Sequence, residues 1–94
     1  MSEIKLFPKT GSFAENKDIA REIRLNELIP VMDVGESVTL DFSGVDAATQ
    51  SFVHALISDL IRKYTNTVLD KLLFKGCNNK VKEIINIVID YMQE

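Results

Sequence analysis

The residues whose types and spacing could do chemistry lie in one stretch, Asp41-Phe42-Ser43-Gly44-Val45-Asp46-Ala47-Ala48-Thr49-Gln50-Ser51-Phe52, followed by His54. Thr49 and Ser51 put two hydroxyls at the start of an apolar-periodic run. That is where the free N–H groups and positive end of a helix favour an added anion, including a phosphate on a serine or threonine. Thr49 also has the ordinary role of helix N-cap, Ser51 that of a local hydrogen bond in the first turn. Asp41 at a strand end reads as a turn acceptor and Asp46 as a loop carboxylate. Nothing fixes the separation of these two acids from His54 or supplies a nucleophile oriented by a base, so no acid–base pair is indicated. Cys77, alone near the start of the last helix, reads as a small buried hydrophobe. Gly11 and Gly44 are isolated, and neither a Walker loop nor a dinucleotide fingerprint occurs. One histidine and one cysteine rule against a structural zinc site, so no metal and no cofactor is expected.

The elements that must position this stretch follow from hydrophobic periodicity. Glu3 to Phe7 alternates and stops at Pro8, which predicts a short strand. Ser12 with Glu15 has the spacing of a capping box, so a helix is expected to start there and to carry Ile19, Ala20, Ile23 and Leu28 on its buried side. Pro30 should end it near Ile29 or kink it before Met32. Residues 37–42 are β-branched and apolar between glycines, and read as the central strand. From Thr49, Phe52, Val53, Leu56, Ile57, Leu60, Ile61 and Tyr64 recur at helical spacing. A third strand is expected over 71–75. Asn78 or Asn79 should cap a last helix whose stripe is Val81, Ile84, Ile85, Val88, Ile89 and Met92, ending within a residue or two of Glu94. Ile87 and Tyr91 fall on its other side, placed to extend onto a partner.

The order βαβαβα with short connections predicts an α/β fold with parallel strand pairs in one domain spanning residues 1–94, helices packed on the sheet. Parallel sheets seldom leave a face bare, so an uncovered face would call for a protein partner or a second copy, a homodimer. Sites in such sheets form beyond the carboxyl ends of the strands, which again selects residues 43–54.

Ninety-four residues, 46% apolar and 27% charged, suit a single small core and exclude a large cleft between domains. No apolar run exceeds three residues, far short of a membrane span, and Met1 to Lys5 has no secretory pattern, so the expected compartment is the cytoplasm, with no membrane partner. A lone cysteine agrees with a reducing environment. The net charge of −3 is uneven: residues 1–61 hold five basic and ten acidic groups, residues 62–94 six and four. The second half could form a basic rim at Arg62, Lys63, Lys71, Lys75, Lys80 and Lys82. Without a basic domain overall or an aromatic signature, nucleic acid is not an expected partner.

Val38-Thr39-Leu40-Asp41-Phe42-Ser43-Gly44-Val45, then Thr49-Gln50-Ser51-Phe52 and a helix beginning Val53-His54-Ala55-Leu56, resembles the STAS-like domains of unknown function, compact relatives of the anti-sigma factor antagonist domains. Gly11-Ser12-Phe13 and Leu73-Phe74-Lys75-Gly76-Cys77 extend the resemblance over nearly the whole chain. It implies a non-enzymatic regulatory module that binds a protein, in partner switching a histidine-kinase-like ATPase, and is switched by phosphorylation at the start of the helix after the central strand. Where the antagonists carry Asp-Ser-Ser-Gly this chain has Thr49-Gln50-Ser51-Phe52, so the usual phosphoacceptor position is Gln50 and only Thr49 and Ser51 keep hydroxyls. Asp46, Thr49, Gln50, Ser51 and His54 are the expected contact or regulatory residues. The alternative from another class is a small-ligand or nucleotide sensor using the same helix start.

Overall fold

The computed structural model describes residues 2–64 and 67–92, with Leu69 described by its backbone alone. Three strands, β1 (Ser2–Lys5), β3 (Val38–Asp41) and β5 (Leu72–Lys75), form a parallel sheet in the order β1-β3-β5, with β3 central as its apolar content predicts. The register sets Ile4, Leu40 and Phe74 side by side, and Lys5, Asp41 and Lys75 in the next row. Alternation therefore sorts the two faces. Ile4, Val38, Leu40 and Leu72 are buried on one, whereas Glu3, Lys5 and Lys75 are exposed on the other, where the Lys75 ammonium lies 3.5 Å from the Glu3 carboxylate.

The chain between β1 and β3 departs from expectation at both ends. Phe7 does not extend the first strand: Pro8 suits the first turn of a helix, and Phe7–Thr10 forms a single turn, α1. The capping box of Ser12 and Glu15 does not form. Phe13–Ala14 is instead a two-residue strand, β2, drawn into a parallel ladder with β4 (Ala47–Ala48), and the Ser12 carbonyl accepts from the amides of Asp46 and Ala47. The cap moves to Asn16, whose Oδ1 accepts from the amides of Asp18 at 2.9 Å and Ile19 at 3.4 Å and starts α2 (Lys17–Ile23). Pro30 does not end the helical run, which is divided ahead of it, and it sits in the first turn of the last piece. A widened π-helical turn over Arg24–Leu28 precedes α3 (Ile29–Asp33), which makes room for the proline ring against the preceding turn.

After β3 and β4, α4 (Gln50–Tyr64) crosses the sheet, α5 (Val68–Lys71) makes one turn, and α6 (Asn79–Met92) follows β5. Asn78 caps α6 by accepting from the Val81 amide at 2.9 Å. The end of that helix expected near Glu94 lies outside the described residues. Right-handed crossovers between strands laid down in one direction place the helices on one face of the sheet, with α4 packed against both α2 and α6. Phe52, Val53, Leu56, Ile57 and Leu60 fill the space between α4 and the sheet, together with Leu6, Ile23, Leu28 and Phe42. The fold is α/β, helices on a parallel sheet. Among the described residues no helix is long and apolar enough to cross a membrane.

Candidate functional site

The chain leaves the carboxyl end of β3 through a tight corner. Asp41 is 6% exposed, and its Oδ1 accepts from the Ser43 amide at 2.9 Å. Hydrogen bonds from Ser43, with Lys75 and Lys5 adding favourable charge, hold the carboxyl below its ordinary range. Gly76, at the end of β5, closes the corner with φ +68°; a Cβ there would lie 2.3 Å from Ser43 Oγ and 2.8 Å from Ser43 N. Only glycine fits. On the other side of the turn, Phe7 lies against Gly44, where a Cβ would meet its Cδ1 at 2.9 Å. The loop is then tied to the last helix, because Asn78 Nδ2 donates to the Asp46 carbonyl at 2.7 Å. Asp41-Phe42-Ser43-Gly44-Val45 is therefore a structural corner, with Phe42 and Val45 buried beneath it.

The next residues divide by direction. Thr49 turns inward: half-buried, its Oγ1 accepts from the Phe52 amide at 3.1 Å, which is the N-cap role. Phe52, in the same turn, is fully buried. Gln50 and Ser51 are exposed, and His54 is half-buried. These three line an open groove of about 560 Å³, completed by Lys17 from α2, Ala55 from α4, and Val88 and Tyr91 from α6. The structure thus brings Gln50, Ser51 and His54 together, turns Thr49 into the scaffold, and leaves Asp46 exposed on the loop outside the groove. Tyr91 lines it, as its position opposite the core stripe of α6 allows. Lys17 is a lining residue that sequence reasoning passed over as one solvated charge among many. Its approach to α4 depends on how α2 packs, which no local pattern reports.

Among the described residues no carboxylate lines the groove, so His54 has no acid partner from them in it. Cys77 is half-buried, and burial pushes its thiol above the ordinary value, which leaves it protonated at neutral pH and a poor nucleophile. Among the described residues no group of three or more His, Cys, Asp or Glu side chains is placed to hold a metal ion. Four of the basic groups of residues 62–82 are engaged within the fold. Arg62 pairs with Asp59 at 3.0 Å, Lys63 with Asp33 at 3.1 Å, Lys75 with Glu3, and Lys71 donates to the Gly35 carbonyl at 2.6 Å.

The described lining of the groove is one helix start and two neighbouring helices, with neutral and cationic side chains. Neither a curated protein nor a solved structure gives a significant match to the chain. A family model does, that of the STAS-like domain of unknown function, over residues 20–82. The match runs from α2 through the corner and the start of α4 to the first turn of α6. The chain belongs to the STAS-like domain family.

Proposed function

We propose that this chain is a non-enzymatic regulatory module of the cytoplasm that binds a protein partner through residues 43–54, with Gln50, Ser51 and His54 as contacts and Ser51 as the switch. The observation that carries this reading is the division of the two hydroxyls. Thr49 is committed to capping α4, whereas Ser51, two residues on, is exposed in the groove. Asp46 on the loop is a further contact. A phosphate on Ser51 would add about −1.5 to −2 charges at the positive end of α4, where the helix tolerates them and only the surface offered to a partner changes. The partner class implied by the STAS relationship is a histidine-kinase-like ATPase.

The bare face of the sheet is a weaker candidate for the contact. Three strands of four residues cover about 14 by 13 Å, roughly a quarter of the ~800 Å² per partner that a stable interface takes. Its charged residues are already suited to water.

The test is a tagged pull-down from the native cytoplasm, wild type against Ser51→Asp, with phosphosites mapped in the same run. Loss of a captured partner in the variant, with phosphate found on Ser51 of the wild type, is expected. Identical partners and no phosphate would reject the switch. The second reading, a small-ligand or nucleotide sensor, draws support from the groove volume, which falls in the range of ligand sites. A rise in unfolding temperature with nucleotides or phosphate would favour it by mass action.

A further inference from the structure

The groove has a shape and a charge that narrow what it can receive. Its floor is the first turns of α4, with the small Ala55 between Ser51 and the middle of the helix, and its two sides are α2 and α6, which flank α4. On the α6 side the exposed apolar surface is Tyr91, whereas Val88, 1% exposed, belongs to the core behind it. Tyr91 is 65% exposed, and Ile87, one turn before it on the same helix, is 41% exposed, so the apolar surface runs on out of the groove along α6. On the other side stands Lys17, which has neither an ion pair nor a hydrogen bond from its ammonium among the described residues. His54 adds an imidazole, and the start of α4 adds the positive end of the helix. In a chain with 14 acidic and 11 basic side chains, no acid among the described residues lines this concavity.

Resting on the protein-binding reading above, we infer that the groove between α2 and α6 receives an acidic amphipathic helix of the partner, its apolar side on Ala55, Tyr91 and Ile87 and its carboxylates facing Lys17 and His54. Laying an apolar helical stripe in a groove is a standard mode of recognition, and an exposed tyrosine beside an apolar floor is the kind of residue that anchors it. Charge complementarity sets the sign of the flanking residues. Among the described residues a second copy of this chain offers no helix whose exposed charges are acidic throughout: α2 mixes Lys17, Asp18, Arg21 and Glu22, α6 carries Lys80 and Lys82 beside Glu83, Ile87, Asp90 and Tyr91, and α4 ends in Arg62 and Lys63.

The test is a phage-displayed library of random peptides about 15 residues long, roughly four helical turns, panned on the full chain and counter-selected on a Lys17→Glu/Tyr91→Ala variant. Enriched sequences should carry apolar residues at helical spacing with a net negative charge. For the strongest of them, anisotropy should show Kd rising about tenfold or more in Lys17→Glu and in Tyr91→Ala separately. Both substituted positions are exposed, so unfolding midpoints should match wild type. Enrichment of basic or non-helical sequences, no enrichment over the variant, or affinities indifferent to both substitutions would overturn the inference. If the partner captured in the pull-down is lost by Ser51→Asp yet binds the Lys17→Glu/Tyr91→Ala variant as it binds wild type, the regulatory reading stands and the helix groove falls.

Discussion

The turn after β3 and the first turn of α4 are almost contiguous in the chain and use their polar atoms in opposite ways. In the turn, the Asp41 carboxylate, the Ser43 amide and the Asp46 amide and carbonyl all have partners within the fold, and Gly76 leaves no room for more. In the first turn of α4, Thr49 alone is engaged, while Gln50, Ser51 and His54 face an open groove. The contrast separates residues that make the site from residues that are the site. A motif can be specific because it builds a corner, and the chemistry offered to a partner then sits just past it.

The comparison can be broken most severely at Phe52. Its side chain is fully buried although its neighbours Gln50 and Ser51 are exposed, so Phe52→Ala should cost about 3–5 kcal/mol in chemical denaturation, the ordinary cost of emptying an aromatic core position. Gly76→Ala comes next. A methyl group would collide with Ser43 Oγ and the Ser43 amide at a backbone angle that alanine resists, and a loss of about 2–3 kcal/mol is expected by the same measurement. Thr49→Ala removes the cap and should cost about 1 kcal/mol, with Thr49→Ser restoring most of it. Gln50→Ala and Ser51→Ala should leave stability within about 0.5 kcal/mol of wild type, since neither side chain is used by the fold.

A pH titration of the unfolding midpoint sharpens the same comparison with a third region. Asp33 at the end of α3 accepts from the Tyr64 hydroxyl and pairs with Lys63, and these contacts hold its carboxyl below the ordinary value. The hydrogen bond to Asp33 raises Lys63, and burial followed by that same acid raises Tyr64. Asp33 and Asp41 therefore contribute stability that is whole above about pH 4 and is lost as pH falls through their lower folded values. Lys63 and Tyr64 contribute below about pH 10 and lose it as pH rises through their higher folded values. Asp33→Asn should shrink the alkaline limb and part of the acid limb, while Ser51→Ala should alter neither.

What the sequence disclosed depended on whether a pattern was local. β3 and α4 were legible because Val38 to Phe42 and Phe52 to Tyr64 each carry their own period, and Thr49 and Asn78 were legible as caps because a cap acts within three residues. The capping box at Ser12 failed for a non-local reason: Phe13 and Ala14 are claimed by Ala47 and Ala48, far along the chain, which leaves Asn16 as the nearest cap. Pro30 was visible as a problem, but the widened turn over Arg24–Leu28 that accommodates it was not, since a π turn has no residue signature of its own. In the groove, Gln50, Ser51 and His54 could be named from their place after the central strand. Lys17 could not, because only the packing of α2 against α4 brings it there.

The most direct test of the central claim, that the first turn of α4 is held ready by the scaffold and used by a partner, is to measure unfolding midpoint and partner capture together for Thr49→Ala, Gln50→Ala and Ser51→Asp. The account predicts a split: Thr49→Ala loses stability and keeps its partner, whereas Gln50→Ala and Ser51→Asp keep their stability and lose capture by about tenfold or more. Capture that follows stability across all three, or that is the same in all three, would contradict it.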